Sequence, residues 1–333
     1  MNRKINGLVN LGNTCFLNSA IQSIIPIFDD YFMSGKFASK LNGKYDKFIE
    51  NLNYLILSIE NINNDWLPKH THIIIKNFIK LMLQIKEFNK FKRFQQADSY
   101  EFLIELLDIL AIGLTYKVKV DIKINVDESK LTENDKRRLI FYNYVKESLK
   151  ETSIITERVR GHFSASLKCI HCNNVSEKFE PFLSLSLPID KSNNLQDCLK
   201  EYIKPIQLDE NNQWLCSKCN KKSRAIKKFS ILNTGNYLII CYKRYSNIQN
   251  KLVKNSKDIM TPLEIDLTPY VDDNNQNKYT LCSATYHLGN LRGGHYYNIR
   301  KIGNKWIRCN DSHISEVPSI ESKNIYYVVY KRV

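Results

Sequence analysis

The sequence predicts an α+β protein of 333 residues with its helices gathered in the N-terminal half and its strands in the C-terminal half. Three observations carry this reading. Leu17, Ala20, Ile21, Ile24 and Ile25 repeat with the period of a buried helix stripe. Leu183, Leu185, Leu187 and Ile189 alternate with polar residues, as along a half-buried strand. Residues 237–242 and 325–330 are short apolar runs suited to strands buried on both faces.

In chain order, the first helix opens at Cys15, with Asn13 or Thr14 placed to cap it and Pro26 marking its end. Mixed apolar and lysine segments up to about residue 90 read as further helices. Asp98 followed by Glu101 forms a capping box for a helix whose apolar face is Leu103, Leu106, Leu107 and Leu110, with Gly113 as its stop. Residues 117–150 are charged and irregular, and read as a variable insertion or surface helix. Strand patterns dominate beyond about residue 160. Internal repeats and low-complexity segments are absent, so residues 1–333 read as a single unit with four parts, about 1–115, 117–150, 155–235 and 236–333.

Composition narrows the function classes. Hydrophobic residues make up 43% of the chain, and 11 Gly and 8 Pro are few for its length, which is the composition of an ordered globular protein. No run approaches the roughly 18 apolar residues that span a bilayer, and the N-terminus lacks a signal-peptide stretch. The chain is therefore expected to be intracellular, with cytoplasm and nucleus indistinguishable. The formal charge of +15 is spread along the sequence rather than clustered, so it lays no phosphate track and nucleic acid is not an expected partner. Nine cysteines in such a chain point toward catalysis and metal binding rather than disulfides.

The chemistry concentrates in two constellations. Cys15 falls in the first turn of its helix, where amide donors and the positive dipole end favour a thiolate. A cysteine nucleophile needs a base, and His295 stands after Gly293 and Gly294, which let another backbone approach closely. Fifteen and sixteen residues later, Asn310 and Asp311 each offer the oxygen that fixes an imidazole's tautomer. The order Cys, His, Asn is that of papain-like proteases. The second constellation is Cys169-x2-Cys172 with Cys216-x2-Cys219, four soft ligands at structural zinc spacing. Cys198, Cys241, Cys282 and Cys309 remain as buried or incidental thiols.

These residues lie in segments that resemble the ubiquitin-specific protease family. Residues 7–18, GLVNLGNTCFLN, look like its cysteine box; 96–102, QADSYEF, resemble its glutamine box; and Gly294-His295-Tyr296 with residues 306–311 resemble its histidine box. Weaker echoes at 179–188, 237–245 and 261–270 follow in the same order. The resemblance implies a papain-like, hand-shaped fold: a helical thumb, zinc-bearing fingers around one tetrahedral four-cysteine site for structural Zn2+, and an antiparallel β palm. It implies hydrolysis after the C-terminal glycine of ubiquitin, with Cys15 as nucleophile, His295 as base, Asn310 orienting the imidazole, Asp311 assisting or sharing that role, and Asn10 donating to the oxyanion. It also implies that Gln96, Asp98, Glu101, Gly294 and Tyr296 meet the substrate, the two acids doubling as caps. Ubiquitin or its conjugates are the implied partners of a monomeric enzyme. A protease for another ubiquitin-like modifier and a catalytically silent ubiquitin-binding module are the alternatives. Ala97, Cys309 and His313 depart from the family pattern.

Overall fold

The apolar stripe that begins at Cys15 does not end at Pro26. In the computed structural model, which describes residues 5–61, 66–92, 95–119, 131–248, 251–273, 276–290 and 293–333, helix α1 spans Cys15–Met33 with the proline inside it. An interior proline costs about 3 kcal/mol. The stripe continues through Ile27, Phe28, Tyr31 and Phe32, all buried, and burying each large apolar side chain contributes ~1.5–3 kcal/mol. Burial therefore outweighs the missing backbone bond.

Helices α2 (Asp46–Glu60), α3 (Trp66–Lys69) and α4 (Thr71–Met82) follow, then a 3-10 turn at Lys86–Phe91 and α5 (Ser99–Gly113). They lock on α1 through phenylalanines, with Phe48 stacked on Phe78 at 4.9 Å and Phe16 edge-on to Phe102 at 5.5 Å. Asp98 caps α5 as expected, accepting from the Tyr100 and Glu101 amides at 2.8 and 3.0 Å. The reciprocal half of the box is missing, because the Glu101 carboxylate pairs with Lys90 at 2.9 Å. A charge-assisted bond to an ammonium is stronger than one to a backbone amide.

Of residues 117–150, 120–130 lie outside the described residues. The rest includes α6 (Glu133–Ser148), a surface helix with Ile140 and Tyr142 exposed. Its inner side is anchored, which the charged sequence concealed. Arg137 reaches both Glu177 oxygens at 2.8 and 3.0 Å, the Ser164 hydroxyl at 2.8 Å and the Asp272 carboxylate. Phe141 is buried against His162 and Phe179.

After α7 (Ile154–Val159), a four-stranded antiparallel sheet forms from Val175–Phe182, Gly161–Cys169, Ala225–Asn233 and Ile206–Gln207, in that spatial order. The palm is an eight-stranded sheet ordered His313–Val317, Lys305–Asn310, Gly294–Ile302, Lys278–Gly289, Ile325–Arg332, Tyr237–Lys243, Ser184–Pro188, with Glu264–Asp266 pairing the long Lys278–Gly289 strand. One pairing differs from the expected antiparallel palm. Ser184–Pro188 runs parallel to Tyr237–Lys243, so the alternating leucines assigned to the 155–235 part complete the palm instead.

The sheet is buried on both sides, which explains the continuous apolar runs. Along Tyr237–Lys243, Tyr237, Ile239 and Cys241 face the core shared with the thumb helices. Leu238, Ile240 and Tyr242 face a second core closed by Leu195, Cys198 and Leu199 of α8 (Leu195–Ile203). Ser184 and Ser186 turn to the thumb side, where both meet the Tyr100 hydroxyl, at 2.6 and 2.9 Å.

Candidate active site

The loop that delivers Cys15 takes two successive left-handed residues, Gly12 at φ 98° and Asn13 at φ 54°. Asn10 holds it, its Oδ1 accepting from the Gly12 and Thr14 amides at 3.0 and 3.1 Å. The Thr14 hydroxyl turns back to the Leu11 amide at 2.9 Å, so Thr14, at the N-cap, does not close α1 with its side chain. The helix start keeps its amide donors for the Cys15 thiol. Burial pushes that thiol's pKa up, and the Asp311 charge adds to the rise. The Tyr296 amide across the cleft, with those of Phe16 and Cys15 itself, pulls it down by less. The helix terminus acts in the expected direction without winning, so nothing in these local contacts favours the thiolate over the thiol.

The candidate base is on the neighbouring strand. His295 precedes the Tyr296 amide that reaches Cys15, and its Nε2 lies 2.5 Å from Asn310 Oδ1. An amide oxygen only accepts, so Nε2 carries the hydrogen and Nδ1 is the basic nitrogen. Asp311 points elsewhere. In a left-handed turn at φ 50°, its Oδ2 accepts from Asn10 Nδ2 at 2.9 Å and its Oδ1 from Asn18 Nδ2 at 2.8 Å. Its carbonyl accepts from the Leu8 amide at 2.9 Å. Gly7 permits this approach, since a Cβ there would lie 2.5 Å from the Asp311 carbonyl oxygen. Of the two candidate third members, Asn310 touches the imidazole and Asp311 clamps the cysteine loop.

The expected substrate residues divide. Gln96 braces the histidine loop, its Oε1 accepting from the Gly294 amide at 2.5 Å. Gly294 is required there, as a Cβ would fall 2.2 Å from His287 Nε2. Asp98 commits its second oxygen to the Tyr326 hydroxyl at 2.5 Å, and Glu101 is half exposed in its pair with Lys90. The Tyr296 ring is buried and stacks on His287 at 4.4 Å. Its backbone amide reaches the Cys15 thiol across the cleft.

At the far end of the four-stranded sheet, the Sγ atoms of Cys169, Cys172, Cys216 and Cys219 all lie within 4.8 Å of one another. The Cys169–Cys219 and Cys172–Cys216 separations are 3.9 and 3.6 Å, close to the ~3.8 Å edge of a tetrahedron with zinc–sulfur bonds of about 2.3 Å. Each pair is followed by an asparagine in the left-handed region, Asn173 and Asn220, which turns the chain back under the sulfurs. Amides of the second cysteine in each pair pull the Cys169 and Cys216 thiols down. The donor set fits one divalent, thiophilic ion.

Comparison with known proteins gives the same assignment. The family model described as ubiquitin carboxyl-terminal hydrolase matches residues 6–330. The chain belongs to this family. Ubiquitin carboxyl-terminal hydrolase Usp2 of Drosophila melanogaster is 29% identical over 98% of the chain and 34% of its own length. Ubiquitin carboxyl-terminal hydrolase 2 of Bos taurus is 30% identical over 98% of the chain and 54% of its own. The chain thus spans between a third and about half of these two relatives. In fold it is similar to a chain of the SAGA DUB module containing Ubp8 and bound to monoubiquitin, with a TM-score of 0.79 at 22% identity, covering 100% of this chain and 70% of that one. The same module bound to ubiquitin aldehyde gives 0.79 at 22% identity over 100% and 71%. The hand-shaped hydrolase fold, with its four-cysteine cluster, is therefore that of this protein. No helix among the described residues is long and apolar enough to cross a membrane.

Several residues of this hydrolase site were not singled out from sequence. Asn18 lay inside the cysteine box, and its polar side chain one helical turn after Cys15 was the available signal. His287 and Lys254 carried none. Lys254 Nζ donates to the Gly289 carbonyl at 2.8 Å and the His287 carbonyl at 3.2 Å, tying the hairpin of Tyr245–Ile248 and Lys251–Lys254 to the turn before His295.

Proposed function

We propose that this chain is a thiol-dependent deubiquitinase that hydrolyses the peptide or isopeptide bond after the C-terminal glycine of ubiquitin. The observation that carries the reading is the His295 Nε2–Asn310 Oδ1 bond of 2.5 Å beside the buried thiol, which leaves Nδ1 as the proton acceptor in an otherwise unactivated site. Nδ1 takes the Cys15 proton as sulfur attacks the glycine carbonyl. Carbonyl electrons move onto oxygen, where the Cys15 amide and Asn10 Nδ2 donate. One Asn10 hydrogen is committed to Asp311, which aims the other. On collapse the imidazolium protonates the departing amine and a thioester remains. Water then attacks with His295 again as base, releasing the ubiquitin carboxylate and restoring the thiol.

Gln96 and Lys254 hold the histidine loop, while Asp98 and Glu101 flank the channel for the substrate's arginine-containing tail. Cys169, Cys172, Cys216 and Cys219 hold one structural Zn2+, which supplies a cross-link at the fingers and takes no part in the chemistry. The protein acts inside the cell as a monomer on ubiquitin or ubiquitin conjugates, without nucleic acid.

The test is incubation with ubiquitin carrying a C-terminal electrophile, wild type against Cys15→Ala, followed by intact mass. A single adduct in wild type alone supports the reading. A wild-type protein that reacts only with probes built on other modifiers transfers the activity to those. One that binds ubiquitin without an adduct overturns the catalytic claim.

A further inference from the structure

Behind the catalytic face lies a charged group that the mechanism does not use. Arg300 is 2% exposed and pairs with Glu60, 1% exposed, at the end of α2. Its Nε donates to Gln22 Oε1 at 3.0 Å, and its guanidinium also reaches the buried Cys309 sulfur. Gln22 lies two helical turns beyond Cys15 on the same side of α1. Cys309 immediately precedes Asn310. Arg300 itself sits on Gly294–Ile302, the strand that carries His295. One guanidinium is thus bonded to the helix of the thiol and shares a sheet face with the residue before Asn310, from the strand of the imidazole. In the strand pairing, Asn298 stands opposite Cys309 and Arg300 opposite Ile307, so Arg300 and Cys309 share the sheet face turned to α1.

We propose that Arg300, held by Glu60, is a positioning residue that sets the relative placement of Cys15, His295 and Asn310. Burial of the ion pair alone argues against a purely stabilising role. Taking both charges out of water costs as much as their attraction returns, and apolar pairs of similar volume commonly match such pairs in stability. What they do not reproduce is directionality. A planar fork with five donors can face several partners at once; here Glu60 holds the charge from the end of α2, while Gln22 belongs to the helix of Cys15 and Cys309 to the strand of Asn310.

The proposal rests on the deubiquitinase reading, and its test is built to fail separately. The double substitution Arg300→Met/Glu60→Met removes both charges while conserving volume, and is compared with wild type and Arg300→Lys on a fluorogenic amide of ubiquitin. Thermal midpoint and the alkylation rate of Cys15 by iodoacetamide, mapped by peptide mass, are measured alongside. The double variant is expected to keep its melting temperature and its KM while kcat falls roughly 100-fold, the loss that a displacement of about 1 Å produces. Arg300→Lys keeps the charge but not the fork, and should fall between the two with KM again unchanged. Slower Cys15 alkylation in the double variant supports the placement role without reference to ubiquitin. If kcat and Cys15 alkylation stay at wild-type values, or if kcat falls only as far as melting removes folded protein, the role is structural and the proposal is overturned. Wild-type protein that does not turn over ubiquitin overturns the function and leaves the alkylation arm to decide this inference.

Discussion

The cysteine cluster of the fingers and the catalytic cleft each gather side chains from distant stretches of chain, but by different means. Each half of the cluster is local: two cysteines three residues apart, turned by an asparagine in the left-handed region at Asn173 or Asn220. Only the docking of two such knuckles is long-range. In the cleft the pairings that join the cysteine loop to the histidine side are long-range. Asn10 meets Asp311 across 301 residues and Asn18 meets it across 293. An ion held by the four sulfurs would be a single point at which the fingers come undone, whereas the cleft is a set of separately weak bonds mounted on two packed cores. Removing one cleft bond should change the chemistry and leave the fold standing.

Metal removal is the largest test of that contrast. A structural zinc site with four thiolate ligands contributes about 10 kcal/mol or more of apparent folding energy. Chelation should abolish amide-exchange protection in Gly161–Cys169 and Ala225–Asn233 while Tyr237–Lys243 and Ile325–Arg332, buried on both faces, stay protected. Loss of protection throughout would mean that the two regions are not independent. Next in size is Asn310→Ala. Losing the residue that fixes the base's tautomer costs up to about 10⁴-fold in turnover in analogous triads, and a loss of at least ~100-fold in kcat with an unchanged melting curve is expected. If Asp311→Ala proves the more damaging of the two to kcat, the assignment made from the 2.5 Å imidazole bond is reversed.

The same contrast governs what the sequence made legible. The four cysteines could be read because ligand spacing is a local property. Cys15, His295 and Asn310 stand out as candidates because each sits in a short motif, although their mutual geometry does not show in the sequence. Pro26 misled, since the turn after it is stabilised by burial of Phe28 and Phe32 rather than by its own backbone. Glu101 was placed in a capping box from its offset alone, and the decisive partner was Lys90. Arg137 looked like one charge among many on a surface helix until the strands bearing Ser164 and Glu177 folded against it. The sequence favours Asn310 without excluding a shared role for Asp311, because adjacent residues on a strand end cannot be told apart without knowing which way each points.

A smaller effect separates the two regions by pH. His287 is buried, stacked on Tyr296 and hydrogen-bonded to Tyr245. Burial, then the charges of Lys254 and Arg244, with His295 adding to them, hold its pKa down to about 4, against 6.5 ordinarily. Between those values the unfolded chain binds a proton that the folded one does not. Stability should therefore fall as pH drops through this window, by up to about 3 kcal/mol at ~1.4 kcal/mol per unit. Denaturant unfolding of wild type and His287→Gln from pH 7 to 4 isolates the contribution, since every other group is common to both. Parallel pH profiles for the two proteins would show that His287 is not held neutral by the fold.

The smallest effect is the most diagnostic, because it carries opposite signs in two assays. Asp311→Asn removes a charge that raises the Cys15 pKa, so at neutral pH more thiolate forms and alkylation by iodoacetamide should quicken. The backbone imposes no penalty, because asparagine accepts the left-handed conformation found there. The hydrogen bonds do. A carboxylate accepts from Asn10 and Asn18 together, whereas an amide has one acceptor, so a donor must face a donor. Asn18 cannot simply turn, as its Nδ2 also serves the Leu8 and Val9 carbonyls at 3.3 and 3.4 Å. Asn10 is the partner released, at a cost of about 1–3 kcal/mol for the lost charge-assisted bond, and with it goes the aim of the oxyanion donor. Turnover should fall by roughly tenfold or somewhat more, the lower part of that range, while the thiol becomes more reactive. If both rates rose, Asp311 would act on Cys15 through charge alone, and the clamp it forms with Asn10 and Asn18 would have no part in catalysis.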